Sequence, residues 1–501
     1  MQRMVEKSQL AWRGMLVCAV VALAAGCDNA APEAEPTGMD PAEEVTVDPT
    51  RHPERRGIGA MALPPMGPSA MVVTVDPRSS LIITDDAIVR NFPLVRVMSQ
   101  LVTQSGVAGL TPLALFQDWW NTANPPNCGP LFNGFQYQCP RIEGNQAFVN
   151  PFLSPGTNPD EYVPLALVNR FDLAPASGVD CGEYRIVYGK RSGIPGGGNR
   201  NLLIFEAVLP NPNPTAGLNG CAPVANFWAS LTGAALATRI GGLQNFYFTG
   251  LPGFMPVVHI DNYGNRTTGS VPTGQVRTNQ FIQPPWTLRE FSVRRTMCGS
   301  VPCQLNFRPV TVKVNPGGTL FDPVSGHPLA PSFQNVLFPS QVPALAVTDI
   351  NLFNNTIPDM FNSGQSNAQG PENDYRFQFG PNPSPFRTNI QNELLLLGSP
   401  LLPQDIVERS MALSCGGCHE LSNGANLGGG LVWPPSGGFV HVGEQFDPAP
   451  GPFGPRFRIS PALNAVFLPH RRAVLETFLN SSCGDAVCQP WESPAACPAD
   501  C

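Results

Sequence analysis

The stretch that most constrains this chain is short: two cysteines and a histidine fall within five residues, from Cys415 to His419. Between the cysteines, Gly416 and Gly417 allow a tight turn, so both thiols and the imidazole can serve one bound group. With 14 Cys and 6 His in 501 residues, a chance match to C-x-x-C-H is expected only ~0.005 times. The motif therefore calls for a chemical explanation.

The N-terminus predicts export. Three basic residues precede an apolar run at 15–25 that is too short to span a bilayer but suits the core of a signal peptide. The run ends Leu-Ala-Ala-Gly-Cys at residues 23–27, which resembles a bacterial lipoprotein signal. The resemblance implies cleavage before Cys27, lipid on that thiol, and attachment to a bilayer facing the periplasm or the cell surface. An ordinary signal peptide cut nearby is the alternative.

Three kinds of chemistry use the spacing at Cys415. Two thiols can add to the vinyl groups on one edge of a porphyrin, and the next imidazole then binds the iron as proximal ligand. The alternatives are a short-loop disulfide and a zinc site in which His419 is a neighbour or third ligand. Haem is favoured, because export disfavours a free dithiol and no second C-x-x-C completes a zinc site.

The octapeptide Ser414 to Leu421 resembles the haem-attachment site of c-type cytochromes. The resemblance implies one haem c, attached at Cys415 and Cys418, with His419 as an axial ligand of the iron.

The second axial position is open to another residue, because Met411 is the last methionine and the methionine expected downstream is missing. His441 is predicted there, since an apolar strand flanked by glycines could hold it against the ring. His470 is the weaker candidate, because it opens a helix whose polar residues are expected to face water. A structural role is the alternative for either histidine.

The remaining cysteines predict disulfides. Setting aside Cys18 in the signal, Cys27, and the motif pair leaves 14 − 4 = 10, an even number. Proximity suggests Cys128 with Cys139, Cys181 with Cys221, and Cys298 with Cys303, and it leaves a C-terminal set of Cys483, Cys488, Cys497 and Cys501.

The C-terminal set lies in residues 481–501, which are similar to short Cys-rich modules that end some exported bacterial proteins. Asp485, Glu492 and Asp500 form a candidate calcium site there, with solvent-exposed acids as the plainer interpretation.

Hydrophobic periodicity predicts an α+β fold with a mostly antiparallel sheet over 76–385, after a signal peptide at 1–26 and a disordered tether at 27–75. A small, mainly helical cytochrome c-like domain is predicted over 386–480. Strands are predicted at 81–83, 162–168, 183–188, 201–208, 257–260, 274–281, 287–293 and 309–314. Helices are predicted at 94–101, 113–122, 226–240, 389–397, 403–413 and 471–479.

Further expectations concern particular side chains and loops. Trp119 and Trp120 are expected in the core, residues 194–199 in a glycine-rich hairpin loop, and residues 354–385 in an extended surface connection. Charged residues on or beside the strands are interpreted as ion pairs at a sheet edge rather than as a substrate site; they are Arg170, Asp172, Glu183, Arg185 and Glu206.

Composition and motifs reduce the number of function classes that fit this chain. A net charge of −7 with 13% charged residues and no basic clusters excludes nucleic acid as a partner, and no hydrolase or nucleotide-binding motif is visible. The leading hypothesis is an exported haem lipoprotein that exchanges electrons with a partner protein or oxidises a small substrate. The alternative is a non-enzymatic surface-binding or structural lipoprotein whose Cys415 and Cys418 form a disulfide.

Anchoring can be tested directly. Replacement Cys27→Ala should release the protein from the membrane fraction, because a lipid chain rather than a spanning helix would attach it. Cys18→Ala is the matched control, since that residue would leave with the signal peptide. Fractionation of cells followed by immunoblotting measures the distribution, and a Cys27→Ala protein that still sediments with membranes would contradict lipid at this position.

Overall fold

The computed structural model describes residues 73–193, 198–266, 271–481 and 488. Within them the chain is α+β, with a mostly antiparallel sheet and several helices, as predicted. The predicted signal peptide, Cys18, Cys27 and nearly all of the tether lie outside the described residues, as do most of the 194–199 loop, the three candidate calcium ligands, Cys483, Cys497 and Cys501.

The central sheet has the strand order β1-β4-β5-β6-β7-β8-β10, with β9 also paired to β8. Every pairing in it is antiparallel. Two small hairpins, β2–β3 and β11–β12, lie apart from it. The strands are β1 (Ile82–Ile83), β2 (Leu131–Phe132), β3 (Phe135–Gln136), β4 (Tyr162–Arg170), β5 (Asp180–Lys190), β6 (Asn201–Pro210), β7 (Gln275–Gln280), β8 (Thr287–Cys298), β9 (Val301–Val310), β10 (Gln365–Asn367), β11 (Val442–Phe446) and β12 (Phe457–Ile459).

The helices of the described residues flank this sheet and fill the C-terminal part. They are α1 (Pro77–Ser80), α2 (Asp86–Val89), α3 (Leu94–Ser105), α4 (Pro112–Asn121), α5 (Ala222–Ser230), α6 (Leu236–Phe248), α7 (Ala330–Ser332), α8 (Phe338–Leu345), α9 (Tyr375–Phe379), α10 (Pro385–Leu396), α11 (Pro403–Leu413) and α12 (Leu468–Asn480). Among all the described residues, no helix combines the length and the apolar character needed to cross a bilayer.

Two predicted strands are wrong. Residues 257–260 form no strand, because the carbonyl of Val258 accepts from the side chains of Gln100 and Gln104 instead of a neighbouring strand. Residues 309–314 fall mostly beyond β9, which begins at Val301, close to the turn that the Cys298–Cys303 disulfide closes.

The predicted helix at 226–240 is two helices, α5 and α6. Gly233 lies between them with φ +72°, a left-handed conformation that ends a helix and that glycine adopts at little cost.

One face of the sheet packs against helices through aromatic side chains. Trp119 of α4 is fully buried, and its ring stacks on Phe307 with centroids 4.3 Å apart. Phe205 and Phe291 meet the same indole edge to face. Trp120 is buried beside it, so both tryptophans belong to the core, as predicted.

The predicted surface connection at 354–385 is partly buried instead. Its strand β10 adds to the edge of the sheet beside β8 and is fully covered. Polar groups there make hydrogen bonds within the protein: Asn315 Nδ2 donates to the carbonyl of Gln365 at 2.9 Å, and the Asn367 backbone amide donates to Asn373 Oδ1 at 2.8 Å. Polar composition in this segment therefore marks internal hydrogen bonding rather than exposure.

Residues beyond 385 pack against the sheet. Leu427, Trp433, Val440 and Phe478 belong to the same hydrophobic core as the central strands, and the described residues all fall within one compact unit. The predicted division at 385 stays a prediction.

Three disulfides join Cys128 to Cys139, Cys181 to Cys221 and Cys298 to Cys303, and these predicted pairings are confirmed. Cys488 is also disulfide-bonded. Because such bonds persist in oxidising compartments, they indicate an exported protein.

Candidate functional site

The second face of the central sheet borders a cavity of about 230 Å³ that also reaches Cys415, Cys418 and His419. Successive residues of a strand point to opposite faces, so while Phe205 enters the aromatic core, its neighbours Ile204 and Glu206 line this cavity. Strands β1 and β4 to β8 all contribute to the wall. The motif and segments that follow it in the chain form the other wall.

Helix α11 delivers the motif to this place. Ser414 ends the helix: its Oγ donates to the Met411 carbonyl at 2.7 Å and accepts from the Gly417 amide at 3.0 Å. The chain then forms a short π-helix, Gly417–Leu421, a form often found at functional sites.

Both motif glycines are required by close packing. A Cβ added at Gly417 would lie 1.8 Å from the Met411 carbonyl oxygen, and one at Gly416 would lie 2.7 Å from that of Asn367. The Gly416 amide donates to Ser366 Oγ at 2.8 Å. Strand β10 therefore packs directly against the motif backbone and fixes its position.

Cys415 and Cys418 are free thiols that line the cavity. Burial raises the pKa of Cys415 to about 11 and that of Cys418 to about 12, so both carry their protons at neutral pH. Their reactivity as nucleophiles is correspondingly low.

The imidazole of His419 is held by its Nδ1, which lies 2.8 Å from the Phe439 carbonyl oxygen. Because a carbonyl only accepts, Nδ1 carries the proton and Nε2 keeps its lone pair. Burial lowers the pKa of His419 to about 4, so the ring is neutral. Trp286 stacks on it with centroids 5.2 Å apart. This is the tautomer and orientation of a metal-binding histidine.

Phe439 supplies that carbonyl from an unusual backbone conformation, φ +64°. Left-handed backbone is uncommon for a residue with a large side chain and persists only where the surrounding structure holds it. The sequence carries no signal for this contact beyond the glycines before Phe439.

His441 lies beside the motif, as its predicted role requires. Its Nε2 is 3.2 Å from Cys418 Sγ, its Nδ1 is 2.9 Å from Ser460 Oγ, and its ring centroid is 4.8 Å from that of His419. Burial, then the neighbouring His419, lowers the pKa of His441, which keeps it neutral.

The expectation that the polar start of α12 faces water is wrong for His470 and Arg471, although Arg472 is 42% exposed. His470 is 8% exposed and Arg471 6% exposed, because α12 packs between the sheet-side residue Phe171 and the segment at Phe467. Arg471 lines the cavity, whereas His470 does not.

The charged strand residues form paired networks, as predicted, but in the centre of the sheet rather than at an edge. Glu206 accepts from Arg185 and Arg277, each at 3.0 Å. Arg185 also contacts Glu183 at 2.9 Å, and Arg170 contacts Asp172 at 2.7 Å.

Cations outnumber acids among the charged residues that line the cavity. Its charged residues are Arg170, Arg185, Arg277, Lys313, Arg471 and one acid, Glu206. Arg277, Lys313 and Arg471 were not predicted as site residues. The sequence did carry a signal for Arg277. This residue directly follows the apolar Val276 in a predicted strand, so the two side chains had to lie on opposite faces of the sheet.

The donor set fits a haem better than a zinc ion. Within the described ranges no group of three or more His, Cys, Asp or Glu residues is arranged to hold a metal ion. Haem iron needs only one or two protein ligands, and His419 presents a free Nε2 beside two free thiols. The cavity exceeds the ~150 Å³ that accommodates benzene, and it would hold part of a porphyrin.

A second cavity, of about 730 Å³, is lined mainly by amide side chains, prolines and Glu372. None of the predicted site residues lines it, and the side chains of Gln138, Gln369 and Gln378 already make hydrogen bonds within the protein. The motif cavity is therefore the stronger candidate site.

No family model matches this chain, and it has no significant similarity to any curated protein or solved structure. The case for its function therefore depends on the geometry of its own residues.

The close packing of the motif turn predicts a sharp effect of one methyl group. Gly417→Ala should destabilise the protein by about 1–3 kcal/mol, the usual cost of overpacking, because its Cβ would collide with the Met411 carbonyl. Gly326→Ala is the control, since no atom lies within 4 Å of a Cβ there. Thermal unfolding followed by circular dichroism measures both, and equal midpoints for Gly417→Ala and the wild type would contradict the packing.

Proposed function

We propose that this chain is an exported haem c lipoprotein that transfers electrons or oxidises a small substrate. One observation carries the proposal: two free thiols and a histidine with an available Nε2 come from five consecutive residues and line the same cavity. This is the set of groups that covalent haem attachment needs.

The residues of the motif have separate tasks in this proposal. Cys415 and Cys418 would each form a thioether with a vinyl group, and His419 would bind iron through Nε2. The Phe439 carbonyl holds the Nδ1 proton of His419, which fixes the tautomer and makes Nε2 a better ligand. A haem bound here would supply one-electron chemistry.

The surroundings of the motif support the same function. Trp286 covers one face of His419, and apolar side chains such as Val187, Ile204 and Phe467 line the cavity. An apolar, partly closed site excludes water and tunes a redox centre through its low dielectric constant. The sheet thus serves as a rigid wall for a partner group or substrate.

For the second axial position we propose His441, because it lies beside the motif and Ser460 orients its ring. Its ring centroid is 4.8 Å from that of His419, and both imidazoles would hold the iron of a haem bound here.

The cellular setting belongs to the same proposal. Lipid at Cys27 would anchor the chain, and residues 386–480, which carry the motif, would form the haem-binding part, related in role to a cytochrome c domain. The disulfides support the exported location, and a redox protein of the envelope would serve as electron partner.

Two rival functions are less well supported. A structural lipoprotein with a Cys415–Cys418 disulfide would leave the free thiols and the His419 geometry without a role. A Cys418–His441 nucleophile is suggested by their 3.2 Å contact, but burial raises the thiol pKa to about 12, opposite to the shift that activates a cysteine.

Haem attachment is the deciding experiment. The chain produced with a haem-attachment system should show haem absorption that survives denaturation and solvent extraction, and a mass-shifted peptide spanning residues 415–419. Cys415→Ser with Cys418→Ser should abolish both signals, whereas Cys298→Ser with Cys303→Ser, which removes a disulfide elsewhere, should keep them. An unmodified motif peptide from folded protein would end the cytochrome interpretation in favour of the structural lipoprotein.

The second axial ligand has its own test. In the haem-loaded protein, His441→Ala should shift the absorption spectrum from low spin toward high spin and allow carbon monoxide to bind, because a strong ligand is lost. His470→Ala is the control, since that buried histidine does not line the cavity. If the spectrum of His441→Ala equals that of the wild type, His441 is not a ligand.

A further inference from the structure

The cationic residues that line the motif cavity differ in the hydrogen bonds they make. Of its five cationic lining residues, four are hydrogen-bonded: Arg170, Arg185 and Arg277 to carboxylates, and Lys313 Nζ to Gln275 Oε1 at 2.9 Å. Arg471 differs from them. Among the described residues it donates no hydrogen bond, and its ion-pair contact is the long one between Nε and Asp172 Oδ2, 3.8 Å.

Arg471 is nonetheless buried, with 6% of its surface exposed. A guanidinium has five N–H donors in a planar fork, and removing such a group from water without hydrogen bonds is costly. Burial, then repulsion from Arg170, lowers the pKa of Arg471 to about 9, which still leaves it charged at neutral pH. The unused donors of Arg471, and the sharing of the one Asp172 carboxylate between Arg170 and Arg471, both indicate room for an anion.

The shape of the cavity indicates what kind of anion. Its remaining walls are largely apolar, with Ile82, Val168, Leu202 and Ile204 on the sheet side. An inorganic oxyanion would leave these walls without a partner. An organic carboxylate with an apolar body would use both the fork of Arg471, as a bidentate partner, and the apolar walls.

We propose that Arg471 forms a carboxylate subsite in the motif cavity, which holds an organic acid with an apolar body. The inference deepens the proposed function, on which its redox significance rests: the carboxylate is either a propionate of the attached haem or that of a separate acid bound next to it. The binding chemistry is the same in both cases.

The test compares two probes of equal shape, benzoate and neutral benzamide, on the full chain by isothermal titration calorimetry. The chain is prepared without and with the haem-attachment system. In the unloaded chain benzoate should bind more tightly than benzamide by about tenfold or more, the usual gain of a hydrogen-bonded charge pair. If the loaded chain has lost benzoate binding, the haem propionate occupies the subsite, and if it keeps the preference, a separate acid does.

Variants then assign the effect to one side chain. Arg471→Gln should remove the preference for benzoate, Arg471→Lys should keep part of it, and Arg472→Gln should leave it intact, because Arg472 is 42% exposed and pairs with Glu476 on the surface. Circular dichroism establishes whether each variant is folded. If Arg471→Gln does not fold, the reduced benzoate preference of Arg471→Lys tests the subsite instead.

Equal affinities for benzoate and benzamide in both preparations, or an unchanged preference in Arg471→Gln, would overturn the subsite. Because the unloaded arm needs no haem, a failure of haem attachment leaves this result separate from the proposed function.

Discussion

The site depends on the ion pairs that the carboxylate of Glu206 forms with Arg185 and Arg277. This carboxylate lies in the middle of the sheet, buried, and accepts from Arg185 on one neighbouring strand and Arg277 on the other. A single buried charge would be expensive, and the attraction between one carboxylate and two guanidinium groups offsets part of that desolvation cost. Glu206 thereby lets the two strands beside β6 carry cations on one face, while the opposite face stays aromatic.

The separation of charged and aromatic side chains onto opposite faces of the sheet explains which parts of the fold were predictable. The alternation in β4, β5 and β6 marks strands clearly, and the same period that buries Phe205 places Glu206 opposite. Partner identity was not predictable, because Arg277 lies about 70 residues after Glu206 and only the sheet register joins them. Strand β10 was missed for another reason: its polar residues are buried by hydrogen bonds to distant side chains, which periodicity does not record.

The residues of the site also fall into those that the sequence indicated and those that it did not. Spacing alone makes the motif cysteines and His419 candidate site residues, and the structure places all three at one cavity. The residues that orient or surround them come from contacts of long sequence separation: Ser366 on Gly416, Phe439 on His419, and Arg471 across the cavity. Arg471 misled the sequence analysis because a helix that begins Pro-His-Arg-Arg has the composition of an exposed end, whereas packing on both sides covers it.

The order of these parts along the chain also matters. Every strand of the central sheet, β10 included, precedes Cys415, while His441 and Arg471 follow it. A chain that emerges from its N-terminus and folds in that order has the floor of the cavity before the thiols arrive, and the cover only afterwards. The direction of synthesis thus gives the two cysteines an interval in which they are reachable from outside, before residues 440–471 close over them.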